Sequence, residues 1–89
     1  MVENKKQFLE FLQKVGVGAN DRVASSPNSY VSYLNSVSKI IGKNINHELL
    51  KSEDDIRRIV AQIGNKRAAS TVNNYCSAMR QYIVFGRED

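Results

Sequence analysis

The chain has 89 residues, with thirteen lysines and arginines against nine aspartates and glutamates, giving a formal charge of +4 and a pI near 9.4. At 42% apolar and 25% charged it is too apolar for a disordered segment, and its length suits one core, so residues 1–89 are expected to form a single domain. A single cysteine, Cys76, and a single histidine, His47, exclude an intrachain disulfide and a self-contained zinc site, and no run approaches the ~18 apolar residues of a membrane span.

The start, Met1-Val2-Glu3-Asn4-Lys5-Lys6-Gln7, lacks the apolar run of a signal peptide, so a soluble, cytoplasmic protein is expected. Phe8, Leu9, Phe11, Leu12 and Val15 then recur at helical spacing, with Gly16 and Gly18 as stop signals. Residues 16–26, rich in Gly, Asn, Asp and Ser, read as a loop. Ser26-Pro27 predicts the next helix start: serine accepts from free amides, and proline at the first helical position has no amide to satisfy. Tyr30, Val31, Leu34, Val37, Ile40 and Ile41 form the apolar stripe of this second helix, and Gly42 is placed to end it. Its other side carries Asn28, Ser29, Ser32, Asn35, Ser36 and Lys39, none of them acidic.

A short turn is expected around Leu49 and Leu50. Ser52 is the expected cap of a third helix opening Glu53-Asp54-Asp55, acids that suit the positive end of a helix dipole. Ile56, Ile59, Val60 and Ile63 give its buried face, and Gly64 closes it. After the basic connector Asn65-Lys66-Arg67-Ala68-Ala69, Ser70 is the expected cap of a fourth helix, with Val72, Tyr75, Cys76, Met79, Tyr82 and Ile83 inward and Gly86 as its stop. No alternation long enough for a strand occurs, so the expected fold is all-α, a compact bundle of four to five helices.

Catalytic chemistry finds no constellation. His47 sits in a polar connector beside Glu48 without a nucleophile and an orienting group, and Cys76 falls on an inward stripe where a thiol acts as a small apolar residue. Gly16 and Gly18 lack the strand and the Gly-Lys-Ser/Thr of a phosphate loop. Glu53, Asp54 and Asp55 lack the ligand spacing of a calcium loop. The expectation is a chain with no catalytic site, cofactor, metal or small-molecule ligand.

Binding chemistry is better represented. The fourth helix sets Ser70, Thr71, Asn73, Asn74, Ser77, Arg80 and Gln81 away from its apolar stripe, with Lys66 and Arg67 just before its positive N-terminal end. Asparagine and glutamine can bond adenine edges in two places and arginine guanine edges, so such a face suits duplex DNA. The second helix offers a less charged face through Asn28, Ser32, Asn35 and Lys39. Solvated surface explains the same polar faces equally well.

Ser70-Thr71-Val72, Tyr75, Ser77-Ala78-Met79-Arg80 and Tyr82-Ile83-Val84-Phe85 resemble the fourth helix of the SAM-like core-binding domain of tyrosine recombinases and phage integrases. Phe8-Leu9-x-Phe11-Leu12, the serine-capped helix with Tyr30 and Tyr33-Leu34, and Ser52-x-Asp54-Asp55-Ile56 follow in the family's order, so nearly the whole chain is covered. The resemblance implies a SAM-like bundle closing one side of a clamp on duplex DNA in recombination and integration, with helices two and four at the major groove. The implied contacts are Asn28, Ser32, Lys39, Lys66, Arg67, Ser70, Thr71, Asn73, Asn74, Ser77 and Arg80, and the implied partners are duplex DNA and neighbouring protomers on it. The length holds no room for the family's catalytic domain, so Tyr75 and Tyr82 are read as core and not as its nucleophile. A SAM-like protein-interaction module, or the same module attached to a restriction-type nuclease, are the alternative readings.

Overall fold

A computed structural model describes residues 2–15 and 27–87. Among these the chain forms α1 (Lys5–Val15), α2 (Pro27–Ile41), α3 (Glu53–Ile63) and α4 (Ala69–Arg87), with no strand. The expected all-α bundle is therefore the fold. The loop expected over 16–26, with its Gly16 and Gly18 stops and the Ser26 cap, lies outside the described residues. Among the described residues no helix is long and apolar enough to cross a membrane.

Each helix buries the stripe that its periodicity marks out. On α1, Phe8 and Leu12 are fully buried one turn apart, with Leu9 and Phe11 packed beside them. On α2, Tyr30, Val31, Leu34 and Val37 are at most 4% exposed, while Ile40 and Ile41 are half-buried. On α3 the buried set is Ile56, Ile59 and Ile63, and on α4 it is Tyr75, Ala78, Met79, Tyr82, Ile83 and Phe85. Each such aliphatic or aromatic side chain contributes roughly 1.5–3 kcal/mol when fully removed from water. The helices α2 and α4 form the largest pairing, and α1 and α3 each pack on both members of that pair and not on each other.

The helix ends show where local signals compete. At Gly42 the backbone turns left-handed, φ +69°, and the amides of Gly42 and Lys43 both return to the Ser38 carbonyl at 2.9 and 3.2 Å, an αL termination. The Ser38 hydroxyl, buried at 4%, donates to the Lys43 carbonyl at 2.6 Å, which fixes the exit direction. Ser52 has the extended backbone of an N-cap, yet its hydroxyl makes no capping bond, contrary to expectation. Instead, the Asp55 amide returns to the Ser52 carbonyl at 3.1 Å, and the Asp55 carboxylate accepts from the Lys51 amide at 2.8 Å, tying the first turn to the residue before the cap.

Two further expectations at α4 are corrected. The helix opens at Ala69, one residue before Ser70, because the Ala68 carbonyl already takes the Val72 amide at 3.0 Å; Ser70 is a first-turn residue and not the cap. Gly86 does not stop the helix, which continues to Arg87. A terminating glycine acts by adopting positive φ, as Gly42 and Gly64 do here and Gly86 does not.

The α2–α3 connector is held by backbone and side-chain bonds. Val2 pairs with Ile45 in an isolated parallel bridge, and the Glu3 amide donates to the Ile45 carbonyl at 2.8 Å. The expected short turn is present: the Asn46 Oδ1 atom accepts from the amides of Glu48 and Leu49 at 3.0 and 2.8 Å, and Leu50 swings into the core at 2% exposure.

Candidate nucleic-acid interface

At ~100° per residue, Ser70, Asn73, Ser77 and Arg80 fall into one stripe along α4, opposite its buried side. Ser70, Asn73 and Arg80 are exposed along it and Ser77 is half-buried. Asn74 flanks the stripe, half-buried, while Thr71 is turned roughly 160° from Asn73 and is also half-buried. On α2 the same geometry aligns Asn28, Ser32, Asn35 and Lys39, of which Asn28, Ser32 and Lys39 are exposed.

Lys66 and Arg67 are exposed in the turn that feeds α4. One Arg67 amino group, Nη1, donates to the Lys66 carbonyl at 2.8 Å, and its other N–H donors have no protein partner among the described residues. Ala68, at the N-cap position, brings no side-chain acceptor, so the first-turn amides of α4 are left to water or an anion. Two cations and the positive end of the helix dipole thus meet at one point. Over the whole stretch from Ile56 to Arg87 the charged residues are Arg57, Arg58, Lys66, Arg67, Arg80 and Arg87, all basic.

The acids nearby are arranged against three of these. Asp54 pairs with Arg57 and Asp55 with Arg58 along α3, and Glu53 Oε1 accepts from Arg80 Nε at 2.8 Å across the α3–α4 packing. The hydrogen bond to Arg80 holds the Glu53 carboxyl below its usual pKa, and the same bond raises Arg80. Lys39, Lys66 and Arg67 form no ion pair among the described residues. The cationic centre of the face therefore lies at the start of α4, and its middle is close to neutral.

His47 occupies a different environment from the polar connector expected for it. Its ring stacks on Tyr82 with centroids 4.9 Å apart and lies 5.3 Å from Phe85, and both ring nitrogens are enclosed without a hydrogen-bond partner among the described residues. Such a ring serves packing and has no open edge for proton transfer. Cys76 is half-buried on the inner side of α4, where burial pushes its thiol pKa up and away from reactivity. Among the described residues no group of three or more His, Cys, Asp or Glu side chains could hold a metal ion.

Comparison with family models, with curated proteins and with solved structures finds no match for this chain. The functional reading rests on the residues and their arrangement.

Two features of the face were beyond sequence reasoning. Glu53 reads there as a dipole-favouring acid, and its pairing with Arg80, 27 residues away, depends on how α3 crosses α4. The exposure of Val84, at 41% the most open large apolar side chain described, follows from its place beside Arg80 and Arg87 on the same outward face.

Proposed function

We propose that this chain is a non-catalytic duplex-DNA-binding domain, resembling the SAM-like core-binding module of tyrosine recombinases and phage integrases, that acts in the cytoplasm. The observation that carries the reading is the junction at the start of α4: Lys66 and Arg67 exposed, the first-turn amides without a side-chain cap, and a polar exposed stripe running on through Ser70, Asn73 and Ser77. Backbone amides and cations at a helix start suit a phosphate, and short polar side chains beyond them allow the helix to come close to base edges. Asn28, Ser32 and Lys39, exposed along one stripe of α2, are the further contacts that the family resemblance implies. An all-basic run from Ile56 to Arg87 keeps repulsive carboxylates off α4 itself.

The reading is tested by fluorescence titration of labelled mixed-sequence duplexes with the full chain at low salt. Saturable binding that competes with unlabelled duplex is the expected result. Absence of binding under those conditions, with self-association or capture of a protein partner insensitive to nuclease, would favour a protein-interaction module instead.

A further inference from the structure

Arg80 is the last polar residue of the α4 stripe, and its guanidinium is tied to α3. Its Nε–H donates to Glu53 Oε1 at 2.8 Å, from a carboxylate carried by the first turn of another helix. Both side chains are about half exposed, 52% and 54%, so the pair sits at the surface and faces whatever covers the stripe.

Only one of the five N–H donors is consumed. Arg80 has no other hydrogen bond among the described residues, so four donors on the two terminal amino groups remain for a ligand. A guanidinium held by its Nε presents those amino groups end-on. That presentation matches the O6 and N7 acceptors of guanine in the major groove, to which arginine donates two bonds.

A phosphate is a poorer fit at this point. The Glu53 carboxylate in contact with Arg80 offsets its charge and lowers the local attraction for a polyanion. For gripping phosphate, which needs charge more than orientation, the Glu53 carboxylate is a handicap; for reading a base edge, where orientation decides, it is an aid. Resting on the DNA reading above, we propose that Arg80 reads a guanine in the major groove and that Glu53 is a positioning residue holding its guanidinium end-on.

The purely structural alternative is that the pair only ties α3 to α4. In that case removing Glu53 would lower the melting temperature and leave base preference unchanged. The test is selection from a random duplex pool, followed by sequencing, with the wild-type chain, Arg80→Ala, Glu53→Ala and Glu53→Gln, each checked for a cooperative melt. The wild type is expected to enrich guanine at one position of its site. Arg80→Ala, which removes the donors, and Glu53→Ala should lose that preference by about tenfold. Glu53→Ala should bind random duplex as well as the wild type or better, since a carboxylate is removed from the face, and Glu53→Gln, which keeps an acceptor, should retain part of the preference.

A guanine preference that survives Glu53→Ala, or survives Arg80→Ala, would overturn the inference while leaving DNA binding intact. A wild type that binds duplex with no guanine preference would do the same. A wild type that binds no duplex would overturn the functional reading together with this inference.

Discussion

The imidazole of His47 presses on Gly86 so closely that no side chain fits between them: a Cβ built on Gly86 would stand 2.7 Å from Nδ1 and 3.1 Å from Cε1. The ring cannot easily retreat, because it is stacked on Tyr82 and set against Phe85. Gly86 is thus a close-approach glycine inside α4, which lets the α2–α3 connector lie down on the last turns of that helix.

Gly86→Ala should accordingly destabilise the fold. Overpacking here is worth about 1–3 kcal/mol, offset by the ~1 kcal/mol that alanine gains over glycine in a helix. The net loss of up to ~2 kcal/mol would lower the melting temperature by several degrees in a domain of this size. In a His47→Ala background the clash is gone and the same substitution should become neutral or stabilising. Thermal melts of the four proteins in the cycle check this, and a Gly86→Ala penalty that persists without the His47 ring would contradict it.

Tyr82 ties the two ends of the chain together. Its hydroxyl donates to the Glu3 carbonyl at 2.8 Å, close to the Ile45 carbonyl at 3.5 Å, and thereby holds the N-terminal segment where Val2 bridges Ile45. Tyr82→Phe removes this donor and leaves the Glu3 carbonyl short of a partner, which should cost ~1–2 kcal/mol at neutral pH. Urea unfolding of the two proteins measures it.

Burial, and then the charge of Glu3, push the Tyr82 pKa up from 10 to about 12. Between those values the folded state keeps a proton that the unfolded state gives up, so the contribution is complete below pH 10 and is lost as pH rises toward about 12. The quantity to follow is the stability difference between wild type and Tyr82→Phe, in which contributions common to both proteins cancel. It should shrink across that window. A constant difference from pH 9 to 12 would contradict the burial of the phenol.

Cys76 should be slow to modify. Its thiol pKa is raised chiefly by burial, so little thiolate is present at neutral pH and access is partial. Alkylation by iodoacetamide in the native state is expected to run at least ~tenfold slower than in urea. Equal rates would mean that the inner face of α4 is open to solvent.

Much of this architecture was legible from periodicity, and several exceptions arise from contacts between segments far apart in sequence. The stripes on α1 to α4, the αL stop at Gly42 and the close at Gly64 are decided by residues within a turn or two of one another. Ile45 and Val2 carry no such pattern; they are buried because the N-terminal segment and the connector meet over the C-terminal half of α4. His47 reads as polar for the same reason, since its neighbours Asn46 and Glu48 are polar and its aromatic surroundings come from residues 35 or more positions away. The serines misled as caps: the Ser52 hydroxyl makes no capping bond, and α4 already starts at Ala69 on the Ala68 carbonyl, one residue before Ser70. Of the candidate face, the stripe membership of Ser70, Asn73, Ser77 and Arg80 follows from spacing alone. The near-neutral middle does not, because Glu53 reaches Arg80 only through helix crossing.

The central claim concerns the cations before α4, and it is tested most directly by the salt dependence of duplex binding. Association constants of wild type and a Lys66→Ala/Arg67→Ala variant are measured for one mixed-sequence duplex over a series of salt concentrations. Neutralising phosphates gives a straight line in log K against log salt, with a slope of about −0.9 per phosphate contacted. The wild type should show a steep negative slope, and the double variant weaker binding with a slope shallower by about 2. A flat wild-type line, or two lines of the same slope, would contradict phosphate binding at the start of α4.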